Sequence, residues 1–348
     1  MLAPAVDFMQ KLIAAIFVLA LVGAQAQAQS RVWQPSLGHA QTLIWPRDVP
    51  NSASVTKSES VRSDWPKVTD VNQPTFTVYP PKGNNTGVTV VVFPGGGYQF
   101  LAMDLEGTEI CDWLTSRGIT CVLLKYRVPY SGPTWKNGHR YYPEVHTALQ
   151  DAQRTLGLLR QRAAQWHIDP HKVGVMGFSA GGHLVAAVST QFTQRTYPPV
   201  DEADELSSRP DFAIILYPGH LWAHEDDPPA FRNQADLTLR ADIRVRSDTP
   251  PTFIVHAQDD PRDAVEESLT YYLALKRAGV PSEMHLYAHG GHAFGLRPMN
   301  LPVSRWPDLV EQWLRTIGML AAPESEPEQS AGDSRHLVGQ SEETRPPR

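Results

Sequence analysis

The run KVGVMGFSAGGHLVAA, residues 172–187, decides how the rest of the chain is read. Val173 to Phe178 is apolar enough for a buried strand, and the small residues from Ala180 onward suit a helix. Between them, Gly177-Phe178-Ser179-Ala180-Gly181 matches G-x-S-x-G. A strand that turns straight into a helix with serine at the apex is strained and crowded, so the positions two residues to either side must be nearly free of side chain. Such a turn holds the hydroxyl at the carboxyl edge of a sheet, where open α/β sheets bind ligands. Glycine and serine also make ordinary turns; the strand before and the helix after are what favour a nucleophile here.

Outward from this elbow, short apolar runs alternate with longer amphipathic ones. Strands are expected at TFTVY (75–79), VTVVVF (88–93), TCVLLKY (120–126), KVGVMGF (172–178), FAIILY (212–217), TFIVHA (252–257) and EMHLYA (283–288). Several are apolar on both faces, as strands covered on both sides must be. Residues 144–166 place Ala148, Ala152, Leu156 and Leu159 at helical spacing, and 266–279 ends on a glycine stop. The alternation implies an α/β fold with a mostly parallel central sheet and helices on both faces.

A serine that attacks a carbonyl needs donors for the oxyanion. VTVVVF runs into Pro94, Gly95, Gly96, Gly97 and Tyr98, and glycines let backbone N–H groups approach a substrate closely. Gly96 and Gly97, joined by the N–H of Ala180, are the expected donors. A phosphate-cradling loop is the competing reading, but neither G-x-x-x-x-G-K-[ST] nor G-x-G-x-x-G is completed. An acid and a base should follow in that order. Asp259 and Asp260 leave the strand that ends near Ala257; His292 lies in a glycine-flanked loop beyond the last strand, with more freedom to reach back than His289. With 13 histidines in the chain, it is the ordered set that carries weight.

GFSAGGH, PGGGY, the HAQDD loop and GGHAFG, with LKYRVP and ALQDAQR, together resemble the secreted bacterial esterases that include acetyl xylan and feruloyl esterases, within the α/β-hydrolase superfamily. The likeness covers about residues 74–318. It implies nucleophile Ser179, acid Asp260, base His292, an oxyanion site from the glycine loop plus Ala180, no metal or organic cofactor, and carbohydrate esters as substrates. PGGG stands here where many lipase relatives have HGGG. Members are sometimes labelled xylanases, yet no pair of glycosidase carboxylates stands out. The loops at 127–145 and 219–235 are rich in Pro, His and charge and offer no long apolar lid, so short acyl groups are expected. A serine peptidase on the same fold and a non-catalytic hydrolase-fold binding protein are the rivals. Neither an added propeller domain nor a terminus-binding acidic motif precedes the catalytic region, and an intact ordered triad opposes the second.

Other residues invite plainer readings. His183, on the helix after the elbow, is expected to pack. Asp201, Glu202, Asp204 and Glu205 offer the residue types of a cation site, with a solvated acidic loop as the default reading. Tyr98 and Trp222 follow strand ends and are candidates for an acyl or sugar pocket, or for packing. The stretch VPYSGPTWKNGHRYYPEV is a candidate rim over the site. Cys111 and Cys121 fall on a helix and the next strand; two buried free thiols are the favoured reading over a disulfide.

A chain of 348 residues with 41% hydrophobic and 20% charged residues is an ordinary globular protein, and a net charge of -6 carries no nucleic-acid footprint. Lys11, the run LIAAIFVLALVG and the alternating AQAQAQ read as a signal peptide over 1–28, cleaved after Ala26 or Ala28, with Met9 an alternative start. The run is short for a permanent span, and no cysteine follows for a lipid. An exported protein, periplasmic or extracellular and without a membrane anchor, is expected. Residues 29–73 read as an extended arm, 74–320 as the catalytic domain and 321–348, lacking aromatics, as a disordered tail.

Overall fold

All seven apolar runs form strands within a residue or two of their expected spans, and an eighth joins them from the arm. In the computed structural model, which describes residues 32–52, 57–61, 67–128, 134–136, 139–141, 144–227 and 233–322, the main sheet comprises β1 (Gln41–Leu43), β2 (Thr75–Tyr79), β3 (Thr89–Phe93), β4 (Thr120–Lys125), β5 (Val173–Phe178), β6 (Ala213–Leu216), β7 (Thr252–Ala257) and β8 (Ser282–Tyr287). Its order is β1-β2-β4-β3-β5-β6-β7-β8. Strand β2 is antiparallel to β1 and β4, and the other neighbouring pairs are parallel. Helices α1 (Glu109–Ser116), α2 (Glu144–Gln161), α3 (Ala180–Thr190), α4 (Glu266–Arg277) and α5 (Trp306–Thr316) flank it.

Every residue of β3 to β7 is buried, which is why these strands read as unbroken apolar runs. Each Val, Ile or Phe so placed contributes roughly 1.5–3 kcal/mol. Edge strand β8 is only half-buried, and Glu283 pairs with His285 along it at 2.7 Å. Polar, charged side chains on an edge discourage a second chain from adding to it.

Three expectations need correction. The arm is part of the domain: Trp33, Ile44, Trp45, Val68 and Val71 are buried, residues 41–43 supply β1, and Ser60–Val61 and Lys67–Thr69 form a small sheet with Leu101–Ala102. Apolar side chains at irregular spacing found a core that no period announced. Cys111 and Cys121 are joined in a disulfide, not free, because α1 packs back on β4 with their Cα atoms 5.2 Å apart. The acidic segment is not simply solvated. Asp201 and the buried Asp204 take both guanidinium nitrogens of the buried Arg154, and Asp204 also accepts from the Tyr197 hydroxyl and the Val200 N–H. A second buried ion pair, Arg127 with Asp151, joins LKYRVP to ALQDAQR, and the Trp45 indole donates to the same carboxylate at 2.8 Å.

The long helix gives way at Arg162 to a short 3-10 turn at Ala163–Trp166. The expected leader and the tail beyond residue 322 lie outside the described residues, as does half of the rim, whose described part includes two short antiparallel strands, Thr134–Lys136 and His139–Tyr141. Among the described residues no helix is long and apolar enough to cross a membrane.

Candidate active site

Ser179 stands where β5 ends and α3 begins, with φ 50 and ψ -122, a backbone conformation that non-glycine residues rarely adopt. Its N–H is tied to the Leu216 carbonyl and its carbonyl accepts from Gly182 and His183, so the strain is held from both sides. The flanking glycines are required by space. A Cβ at Gly177 would lie 2.1 Å from the Gly181 carbonyl oxygen, and one at Gly181 would lie 2.1 Å from that of Phe93.

The structure brings Ser179, His292 and Asp260 together. His292 Nε2 is 3.1 Å from Ser179 Oγ, and its Nδ1 is 2.7 Å from Asp260 Oδ2. This arrangement suits the tautomer in which Nδ1–H donates to Asp260 and Nε2 accepts from the serine. Burial alone would raise the Asp260 carboxyl, but hydrogen bonds from His256 and His292 outweigh it and hold the group well below the usual carboxylate range. Burial works to lower His292, and the hydrogen bond to Asp260 with the charges of Asp263, Asp260 and Glu106 turns the net shift upward. Asp259 does something different: its Oδ1 accepts the Gly290 and Gly291 N–H groups and its Oδ2 faces His289, so it shapes the loop that carries His292.

The N–H groups of Gly96, Gly97 and Ala180 donate to no acceptor among the described residues. His183 packs as expected. It is buried, meets the Tyr98 hydroxyl at 2.8 Å, and burial drives it down to about 3, so it stays neutral. Tyr98 and Trp222 are themselves buried at 1% exposure, the Trp222 indole donating to the Asp236 carbonyl, which makes both packing residues. A cavity of about 190 Å³ opens next to His183, where Val145 and Leu149 line it together with His220, Arg240 and Asp242.

Two carboxylates of the site escaped the sequence reading. Buried Glu106, in a π-helical turn at Asp104–Thr108, accepts the Gly95 N–H at 2.7 Å and the Tyr217 hydroxyl at 3.0 Å, and the Tyr217 ring packs edge-on against His292. Burial pushes Glu106 up to about 7. Asp263 Oδ2 lies 3.2 Å from Ser179 Oγ. Glu106 is one of four carboxylates between Asp104 and Asp112, so nothing in the sequence singles it out, and nothing in the HAQDDPRD loop distinguishes Asp263. No group of three His, Cys, Asp or Glu side chains among the described residues is placed to hold a metal ion.

A serine on such an elbow, in an eight-stranded and mostly parallel sheet with this strand order, defines an α/β-hydrolase. The prolyl oligopeptidase family (Peptidase_S9) matches residues 110–315, more than half of the chain, and the chain belongs to that family. It is 29% identical over 253 residues to an acetylxylan esterase of Xylanibacter ruminicola, a match covering 68% of this chain and 45% of that protein. It is 28% identical to the endo-1,4-beta-xylanase B of Butyrivibrio fibrisolvens, over 58% of this chain and 32% of the other. The chain thus spans less than half the length of these curated relatives. Among solved structures, an acetyl ester-xyloside bifunctional hydrolase from Caldicellulosiruptor lactoaceticus superposes with a TM-score of 0.63 at 32% identity, covering 81% of this chain and 97% of that one. These likenesses agree with the resemblance to acetyl xylan esterases carried by the motifs.

Proposed function

We propose that this protein is an exported serine carboxylesterase that releases short acyl groups, foremost acetyl, from carbohydrate esters such as acetylated xylan. The observation that carries the reading is the continuous line Asp260–His292–Ser179, with contacts of 2.7 and 3.1 Å, ending at a strained elbow beside unengaged backbone N–H groups. His292 Nε2 takes the Ser179 proton as Oγ bonds to the ester carbonyl carbon, and the N–H groups of Gly96, Gly97 and Ala180 receive the oxyanion. The imidazolium, stabilised by Asp260, returns the proton to the departing alcohol as the C–O bond breaks. Water, giving a proton to His292, then attacks the acyl-enzyme; the proton returns to Ser179 as the acid leaves. The named activities of the relatives support acetyl esters, and feruloyl esters are a second class to be tried.

The family's name keeps a second reading in view, a peptidase using the same three residues. One panel decides between them: kcat/KM for acetyl, butyryl, octanoyl and palmitoyl esters of one alcohol, acetylated and feruloylated xylan fragments, and peptide amides at matched concentration. The esterase reading requires acetate release from a carbohydrate with amides turned over poorly. An optimum at octanoyl or longer with no acetate release, or faster cleavage of peptides, would replace it. Secretion assays of the full chain, with the new N-terminus sequenced, test the export.

A further inference from the structure

Asp263 is a carboxylate in contact with the nucleophile that the three-residue mechanism does not use. Its side chain is 14% exposed, with Oδ2 3.2 Å from Ser179 Oγ and 3.7 Å from His292 Nε2. The backbone around it is fixed: its N–H donates to Asp260 Oδ1 and its carbonyl meets His256 Nε2. No lysine or arginine among the described residues forms an ion pair with it; the groups whose charges act on it are His220, His292, Glu225 and Asp260. Room for it is built in, since a Cβ at Gly219 would come within 2.8 Å of Oδ1.

The sheet order says which half of an ester this carboxylate meets. Strand β5, which carries Ser179, lies between β3 and β6. The glycine loop that offers oxyanion donors leaves β3, whereas Gly219 follows β6 and Asp263 follows β7, on the other side of the serine. An oxyanion is stabilised by the N–H side and repelled by the carboxylate. The leaving oxygen must come within hydrogen-bond reach of His292 Nε2, about 3 Å, to receive its proton. The atoms attached to that oxygen then pass along Asp263.

We propose that Asp263 selects the alcohol half of the ester: a hydroxyl on the carbon adjacent to the ester-bearing carbon donates to this carboxylate, and an anionic group at that position is repelled. The preferred substrates are esters of neutral polyols with a free neighbouring hydroxyl. The proposal rests on the esterase reading of the same site.

The test compares wild type, Asp263→Asn and Asp263→Ala as full chains on two pairs of small esters. The first pair is 2-hydroxyethyl acetate and 2-methoxyethyl acetate, which differ in the donor; the second is acetoxyacetate and 2-acetoxyacetamide, which differ in the charge. Wild type is expected to favour the hydroxyl over the ether by about tenfold in kcat/KM, as for a hydrogen bond to a charged acceptor. Asp263→Ala should bring that ratio near one, while Asp263→Asn, whose amide oxygen still accepts, keeps part of it. Wild type should disfavour the anion by on the order of a hundredfold, the repulsion of like charges a few ångströms apart at an effective dielectric of about 20, and both variants should lose most of it. Because Asp263 helps raise His292, the acid limb of the pH profile should move to lower pH in both variants. Ratios are independent of the folded fraction, and the isosteric Asp263→Asn tests the charge even if the alanine variant is unstable. Equal slowing of all four esters with unchanged ratios would overturn the proposal and leave the esterase reading standing. A wild type inert on all four, and on acetylated xylan, removes the esterase reading and the proposal with it.

Discussion

Replacing Asp260 with asparagine should cost far more turnover than the same change one residue earlier, although the two carboxylates are neighbours in the chain. Asp260 Oδ2 sits 2.7 Å from His292 Nδ1, and at an effective dielectric of about 20 unit charges at that distance attract by about 6 kcal/mol. That attraction matters only while the imidazole carries the proton it took from Ser179, so its loss falls on the barrier. The amide dipole recovers part of it, but the amide can also donate to Nδ1 and turn the imidazole to the wrong tautomer, the change that costs about ten-thousandfold in a comparable triad. Asp259 makes its loop contacts through an oxygen that accepts from Gly290 and Gly291, and asparagine keeps that acceptor. We therefore expect Asp260→Asn to lower kcat on an acetyl ester by about a thousand- to ten-thousandfold and Asp259→Asn by less than roughly tenfold, with far-UV circular dichroism unchanged. In Asp260→Asn the residual activity should also show its acid limb at lower pH, because the charge that raises His292 is gone. Similar losses in the two variants, or a tenth of wild-type rate surviving in Asp260→Asn, would refute the role given to Asp260.

Ser179→Ala should reduce turnover by on the order of a millionfold without loss of fold, checked by kinetics with contaminating esterase excluded. In wild type, activity should rise with pH through the deprotonation of His292, and this limb should lie above the ordinary imidazole value, as its upward shift requires; a limb below that value contradicts the geometry. Glu106 binds its proton more tightly folded than unfolded, so its stabilising contribution, complete below about pH 4.5, is lost as pH rises through about 7. Unfolding curves should accordingly show Glu106→Gln gaining about 3 kcal/mol on wild type between pH 4 and 8. Replacing Cys111 and Cys121 with serine should lower stability by about 2–3 kcal/mol, or Tm by roughly 5 °C, since the bridge closes a loop of only ten residues.

What could be read from the chain divides by how far an interaction reaches. The elbow was legible because its steric demands are local: Gly177 and Gly181 are needed by backbone only a few residues or one strand away, and the demand is written as the motif itself. The buried strands were legible for a similar reason, since cover on both faces forces every position to be apolar. Arm residues such as Trp33 and Trp45 had no period to betray them, although both join the hydrophobic core. Their burial follows from partners such as Asp151, more than a hundred residues on. The disulfide depended on how tightly α1 folds back on β4, a matter of loop geometry that spacing leaves open.

The same division runs through the site. Ser179, Asp260 and His292 follow strands in a fixed order, so topology delivers them to one edge of the sheet and the order suffices to find them. Glu106 and Asp263 arrive by different routes: one projects from a π-helical turn beneath the glycine loop, the other from the third position after Asp260, where a loop happens to turn its carboxylate towards the serine. Their positions come from conformation and not from order. Glu106 accepts the Gly95 N–H, and Asp263 lies 3.2 Å from Ser179 Oγ. On the proposed reading, the reaction type is set by residues that order can find, and the choice among esters by one that it cannot. On this fold, two chains with identical motifs need not share a substrate, and the carboxylate at position 263 is where their divergence is to be measured.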